Sequence, residues 1–307
     1  MTQAIAAARP SRTGGGIRRK QTLAAYLFVV PFLVLFVLML VVPLFYSGYL
    51  SLFRTQLVGG TSFVGLDNFV AAITDPLFLG GLARMAFFLV VQVPIMLALS
   101  LLFALLLDSG RLRFPRLIRI GIFVPYAVPG VVAALMWGYL YGKDFGPLAQ
   151  IAKFFTLPAP DFFSAGTILY SIMNIVTWGY VGYNMIVLYS ALRSIPGELY
   201  DAAEMDGAGA IRTAWSIKLP AIRPAIVLTV IFSVIGTFQL FNEPKLLQSI
   251  APNVIDGGFT PNLYAYTLSF TNHQTNYAAA VSFTLGFVIM IVSYVVQLTT
   301  QRRERVR

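Results

Sequence analysis

The sequence has 307 residues, of which 58% are hydrophobic and 11% charged, with a mean hydropathy of +0.77. Soluble globular domains carry about 25% charged residues, so the composition excludes an ordinary soluble fold. There is no cysteine, which excludes disulfides, thiol chemistry and Cys-based metal sites, while the formal charge of +10 acquires a meaning only from where the basic residues stand.

In chain order, residues 1–20 read as a basic flexible tail. The apolar run that follows, Gln21 to Phe53, is much longer than the roughly 7–15-residue core of a secretory signal, so it reads as a retained first span. Arg54 to Arg84 carries TSFVGLDNF and TDP, turn formers that predict a folded cap. A second charge-free run covers Met85 to Leu107. The third, Ile120 to Gly142, contains VPYAVPG, whose prolines predict a kink. Lys143 to Asp161 is a connector, and the fourth run is Phe162 to Leu192. After a polar insert, 193–224, come a fifth run (Ala225 to Asn242), a loop from Glu243 to His273, a sixth run (Gln274 to Gln301) and a basic tail, 302–307.

Roughly 20 apolar residues cross a ~30 Å hydrocarbon core as a helix, and the alternating strands of a membrane barrel are absent. The predicted fold class is therefore an all-α polytopic membrane protein: six transmembrane helices within 21–301. Lys and Arg alternate along it. Arg9, Arg12, Arg18, Arg19 and Lys20 precede the first span; Arg111, Arg113, Arg116 and Arg119 follow the second; Arg193, Arg212, Lys218 and Arg223 follow the fourth; Arg302, Arg303, Arg305 and Arg307 end the chain. The alternate loops hold only Arg54, Arg84, Lys143, Lys153 and Lys245. This is the positive-inside pattern, which places both termini and the insert in the cytoplasm and uses the basic charge for orientation in the lipid bilayer, not for nucleic acid.

No Asp, Glu, Lys, Arg or His lies well inside any of the predicted spans, which argues against a proton relay; sodium held by carbonyls and hydroxyls stays open. His273 is the one histidine, there is no HExxH, and GGGIRRK lacks the spacing and the preceding strand of a phosphate loop. The chain is thus expected to be non-catalytic, to bind no metal or cofactor, and to take energy for any uphill transport from another protein.

The insert is the most informative stretch. Pro196 and the acidic Glu198 and Asp201 suit the start of a helix over about Gly197 to Met205. Asp206-Gly207-Ala208-Gly209 supplies a turn, with Asp206 able to cap a second helix over about Ala210 to Lys218 that Leu219-Pro220 ends. Its charges balance, and small Ala and Gly residues suit close docking against a protein more than lipid or nucleic acid.

DAAEMDGAGAIRTAWSIKLPAIRPA resembles the EAA loop of permeases in binding-protein-dependent ABC importers. Asp201, Ala202, Ala203, Asp206, Gly207, Ala208, Ile217, Leu219 and Pro220 fall on that pattern; Asp201 stands where the family usually has Glu, and Ile211 and Ala214 where aromatics are common. YLFVVPFLVLFVLMLVVPLFYSGYLSLF, FVGLDNFV, FVPYAVPGVVAALMWGYLY, RSIPGELYDAAEMDGA and FNEPKLL are similar to the sugar-permease branch, the maltose-type first subunit in particular. The resemblance implies a location in the prokaryotic plasma (inner) membrane and a second, homologous permease subunit as partner. It also implies two cytoplasmic ATPase subunits that bind ATP and Mg, and an extracytoplasmic solute-binding protein. The first helix of the insert would be the coupling helix, with Gly207 permitting the tight turn and Ala202 and Ala203 the close approach.

A sugar path needs hydrogen-bonding groups and aromatic faces within apolar spans. Asn174, Trp178 and Asn184 in the fourth span and Gln239 and Asn242 in the fifth are the candidates; the alternative is that such groups serve helix–helix contacts and interfacial anchoring. Thr177, Tyr180 and Tyr183 extend the set, and Glu243 is placed at the outer boundary. Competing readings are an importer permease for a glycerol phosphate or polyol and, from another class, a membrane enzyme or docking scaffold. An anionic solute would call for Arg or Lys in the path.

Overall fold

The computed structural model describes residues 26–56, 59–110 and 112–305; the expected basic tail 1–20 lies outside them, as do the last two residues of the expected tail 302–307. The chain divides into two units, 1–50 and 51–307. Among the described residues five helices are long and apolar enough to cross a membrane, and a bent helix pair, 115–127 with 130–140, meets the same test only when taken together.

The described residues of the first unit belong to helix α1 (Tyr26–Ser51), uninterrupted by charge and with exposed apolar side chains. Its turn Val37–Val41 is π-helical, with the Val42 amide donating to the Val37 carbonyl. Pro43 follows directly. A proline has no N–H and its ring collides with the carbonyl four residues back, and a wider turn just before it opens that space.

The second unit opens with a hairpin, β1 (Phe53–Gln56) and β2 (Gly60–Phe63), antiparallel with Phe53 opposite Phe63. This is a departure from a purely helical chain, and it lies inside the segment predicted to form a cap. Asn68 of α2 (Asp67–Thr74) holds it: this buried amide donates to the Ser51 and Phe53 carbonyls at 2.8 Å each and accepts from Arg54.

Helix α3 (Pro76–Asp108) begins well before the predicted span because Asp75 caps it. Asp75 Oδ1 accepts from the Leu77 and Phe78 amides at 2.8 and 3.4 Å, and Pro76 occupies the first turn, where no N–H is required. Asp75 Oδ2 accepts from the Tyr264 and Tyr277 hydroxyls at 2.6 and 2.8 Å. One carboxylate therefore joins α3 to α12 (Pro261–Tyr266) and α13 (Thr275–Arg305).

The predicted kink in VPYAVPG is a break. Helices α4 (Pro115–Ala127) and α5 (Gly130–Leu140) meet at 96°. Val128 is extended (φ −75°, ψ 126°), the conformation a following proline imposes, and Pro129 offers no donor to continue the first helix. Helix α6 (Pro147–Phe154) lies in the following connector. Helix α7 (Ile168–Leu192) packs along α3 and α4. Gly182 makes the α4 contact possible: a Cβ there would stand 2.1 Å from the Ile122 carbonyl oxygen, the close backbone approach that small residues permit between membrane helices.

After α8 (Glu198–Met205) and α9 (Ala210–Thr213), α10 (Arg223–Phe238) packs on α3 and α13, and α11 (Asn242–Leu247) packs on α5. The main core joins Phe78, Met85 and Phe88 of α3 to Ile168 and Ile172 of α7 and Val234 of α10. A second cluster gathers Ala104 and Leu107 of α3, Met185, Leu188 and Leu192 of α7, and Ile222 at the opposite end of α3 from Asp75.

Burial raises the Asp75 carboxyl pKa, but the bonds from Tyr264, Tyr277 and the two amides outweigh it and hold the group below the usual carboxylate value. A depressed folded-state pKa gives stability that is present above the unfolded value, about 3.9, and lost as pH falls through the folded value. Asp75→Asn is expected to lower stability by about 1–3 kcal/mol near pH 7, the range for hydrogen bonds to a charged group. Thermal unfolding of both proteins in detergent across pH 7 to 3 checks this: the gap between them should shrink toward the acid end, and a pH-independent gap would show that the charge is irrelevant.

Candidate functional site

Two places combine polar groups with a specific geometry: the insert at the Asp108 end of α3, and a cavity among α3, α7 and α10.

Helix α8 starts with Glu198 and Asp201 in its first turn, where acidic groups face the positive end of the helix dipole. It closes in a Schellman motif: the Ala208 amide donates to the Ala203 carbonyl at 2.9 Å and the Gly207 amide to Glu204 at 3.0 Å. The motif requires a left-handed residue, and Gly207 has φ +70° with nothing within 4 Å of where a Cβ would stand. The expectation that Asp206 caps the second helix is corrected by this motif. Asp206 ends the first helix, and Gly209 occupies the second N-cap with no side-chain cap.

The second helix also continues past the expected stop. Ala210–Thr213 runs into a π-helical turn, Ala214–Lys218, and then into Leu219–Ala221. The Leu219 amide donates to the Ala214 carbonyl and Pro220 follows, the same arrangement as at Val37–Val41 before Pro43. Leu219-Pro220 therefore lies within helix, and the chain turns only at the buried Ile222.

An ion pair ties the hairpin to the bundle. Lys218 Nζ pairs with Asp108 Oδ2, and the two side chains are 15% and 4% exposed. Its ammonium also lies 4.9 Å above the Tyr200 ring of α8. Burial first, then the Asp108 charge, raises the Tyr200 hydroxyl pKa against a lowering by Arg193. Asp108 is the last residue of α3, so both hairpin helices are fixed to the end of that helix. Ala203 is buried, Ala208, Ile217 and Leu219 are half-buried, and Asp201, Ala202, Asp206, Gly207 and Pro220 are exposed. Met205, Ile211 and Trp215 present apolar side chains 89%, 78% and 70% exposed, which makes this hairpin an uncovered apolar surface.

The cavity has a volume of about 330 Å³. Its walls are Phe88, Gln92 and Met96 of α3, Val176, Tyr180, Tyr183 and Asn184 of α7, Phe232, Ser233, Gly236 and Thr237 of α10, and the segment Gln239 to Glu243. Gln92 Nε2 donates to Thr177 Oγ1 at 3.1 Å, and Asn184 Nδ2 to the Tyr180 carbonyl at 3.1 Å. Tyr126 of α4 stacks on Tyr183 with centroids 4.8 Å apart and meets Tyr180 edge-on at 5.8 Å. Aromatic faces and uncharged hydrogen-bonding groups thus share one concave surface, the composition of a small-molecule site.

Of the five predicted path residues, Asn184, Gln239 and Asn242 border this cavity. Asn174 and Trp178 are not among its walls: Asn174 donates to the Tyr141 hydroxyl at 2.8 Å, and Trp178 meets Trp137 edge-on at 5.8 Å. Sequence reasoning omitted Gln92, an isolated amide in a long apolar run. It also omitted Asp108, the acid that ends that run, and it placed Glu243 at the outer boundary. Glu243 lines the cavity, and the fifth apolar helix breaks at Gln239–Phe241 and resumes as α11 through Leu247. Among the described residues no group of three His, Asp or Glu side chains is placed to hold a metal ion.

The chain matches the family "Binding-protein-dependent transport system inner membrane component" over residues 69–305. It is 30% identical over 290 residues to the lactose transport system permease protein of Rhizobium radiobacter, covering 91% of this chain and 94% of that one. It is 28% identical over 275 residues to an arabinooligosaccharide transport system permease of Bacillus subtilis, covering 89% and 87%. The sn-glycerol-3-phosphate transport system permease of Salmonella choleraesuis is 30% identical over 272 residues, covering 88% and 91%. The fold is shared with a chain in the crystal structure of a bacterial ABC transporter that imports the acidic polysaccharide alginate, with TM-score 0.81, 18% identity and coverage of 95% and 99%. The chain belongs to the family of binding-protein-dependent transport system inner membrane components.

Proposed function

We propose that this chain is the permease subunit of a carbohydrate ABC importer in the prokaryotic plasma membrane, forming half of the solute pathway. The names of the lactose and arabinooligosaccharide relatives support a carbohydrate. The observation that carries the mechanism is the attachment of the exposed hairpin to the end of α3 through Lys218 and Asp108. In this reading the hairpin docks on an ATPase subunit that binds ATP and Mg, with Asp201, Ala202, Ala203, Asp206, Gly207 and Ala208 forming the docking turn. Ile217, Leu219 and Pro220 shape the return to the bundle. Displacement of the hairpin moves α3, whose Phe88, Gln92 and Met96 line the cavity.

Basic residues gathered near this hairpin, Arg193, Arg212, Lys218 and Arg223, support placing it and both termini in the cytoplasm. The Asp75 end, with its β-hairpin and α2, then faces outward to receive a solute-binding protein. With this chain as a maltose-type first subunit, a second, homologous permease completes the pathway beside Asn184, Gln239 and Asn242. Asn174 and Trp178 act through their contacts with Tyr141 and Trp137.

The reading is tested in proteoliposomes that hold the assembled transporter and its solute-binding protein. Breaking a buried pair by removing one partner costs about 3–5 kcal/mol, so Asp108→Lys and Lys218→Asp are each expected to lose ATP-driven uptake. The double exchange should recover more uptake than either single variant. Normal uptake by both single variants would remove the pair from the transmission path.

Gly207 gives a second test. A β-branched residue at φ +70° is strained by about 1–2 kcal/mol, whereas Asn tolerates that region. Gly207→Val should reduce uptake per ATP hydrolysed several-fold and Gly207→Asn should largely preserve it. Equal uptake by Gly207→Val and the native chain would show that the Schellman turn is not part of coupling.

A further inference from the structure

The Salmonella relative is named for a phosphorylated solute and the structural neighbour for an acidic polysaccharide, so relatives alone leave the charge of this chain's solute undecided. The cavity wall is more specific. It carries one ionisable carboxylate, Glu243, among Gln, Asn, Ser, Thr and Tyr side chains, and no Lys, Arg or His. Recognition of phosphate or carboxylate rests on Arg or Lys, whose charge-assisted bonds match those groups.

Two basic side chains of the same unit are engaged elsewhere. Lys245, on the same short helix as Glu243, donates to Gln248 Oε1 at 3.3 Å and lies 5.1 Å from the Tyr266 ring centroid. Arg84 donates to the Gly258 and Phe259 carbonyls at 3.0 and 2.9 Å and lies over the Phe259 ring. No ion pair reaches Glu243 among the described residues. Its carboxyl group lines the cavity near Tyr180 and its own backbone amide, with no cation beside it in the wall, and keeps capacity to accept hydroxyl donors.

We propose that Glu243 is a charge filter: it accepts hydroxyls of an uncharged carbohydrate and repels solutes that carry a carboxylate or phosphate. The inference rests on the carbohydrate reading above and adds the substrate class at the same cavity. Like charges separated by a few ångströms at the effective dielectric of a protein interior repel strongly enough for a preference of roughly tenfold or more.

Equilibrium dialysis of the assembled, detergent-purified transporter tests it with radiolabelled maltotriose, cellotriose and raffinose and with the same sugars oxidised at one terminal hydroxymethyl to a carboxylate. For at least one sugar, the native complex is expected to bind the neutral form roughly tenfold or more tighter than its uronate. Glu243→Gln should bring that ratio toward unity, and Glu243→Asp should keep it. Sugar binding with no preference in the native complex, or with the same preference in Glu243→Gln, overturns the filter and leaves the carbohydrate reading standing. The native arm decides this even if Glu243→Gln fails to fold. Binding of no sugar in either form overturns the carbohydrate reading and the filter with it.

Discussion

Helix α3 is fixed at each end by a carboxylate, and the rest of the second unit is arranged around that fact. Asp75 ties its start to α12 and α13, and Asp108 ties its end to Lys218 in the hairpin. The helix has 33 residues, about 50 Å at 1.5 Å per residue, longer than the ~30 Å hydrocarbon core. Both carboxylates therefore stand beyond the apolar zone or at its margin, where a charge is tolerable. Between the anchors Phe88, Gln92 and Met96, spaced at four, form a single stripe that meets the cavity. A continuous helix anchored in this way can turn a shift at one end into a change at the stripe, and Pro94, which removes one backbone donor between Gln92 and Met96, is the point at which it can bend.

The prolines show why helix ends are difficult to place from sequence. Each of Pro43, Pro129 and Pro220 removes a donor and crowds a carbonyl, yet the three outcomes differ. At Pro43 and Pro220 the preceding turn widens to π-helix and the helix continues. At Pro129 the chain turns by 96°. The residues next to it account for the difference: Val128 adopts the extended conformation, and Gly130 starts a new helix whose neighbour is α11. Tertiary contacts choose between widening and breaking, and those contacts are not local in sequence.

What was legible in the sequence divides along the same line. Charge-free runs fixed where the long helices lie, because composition alone decides what enters lipid. The hairpin and its turn were legible because Pro196, Glu198, Gly207 and Gly209 act on their immediate neighbours. The long-range pairs were not: Asp75 with Tyr264 and Tyr277, Lys218 with Asp108, and Gln92 with Thr177 join distant residues that carry no local signature. Helix rotation was equally hidden. Asn174 and Asn184 lie on the same helix, and only packing against α3 decides that Asn184 reaches the cavity while Asn174 turns to Tyr141.

The break between α10 and α11 settles what kind of recognition the cavity can perform. An interrupted helix frees carbonyls, and in membrane proteins these often coordinate an ion or solute directly. Here two of them are occupied: the Gln239 carbonyl accepts from Asn262 and the Leu240 carbonyl from Thr260, both at 3.0 Å. Thr260 is fully buried and also caps α12, so the freed backbone is bound into the same corner that Asp75 secures. The polar side chains on the cavity wall are Gln92, Asn184, Gln239, Asn242, Glu243, Ser233, Thr237 and the tyrosines. Side chains can be exchanged without rebuilding the backbone, so a single fold of this kind can be adapted to chemically different solutes by substitutions along one wall.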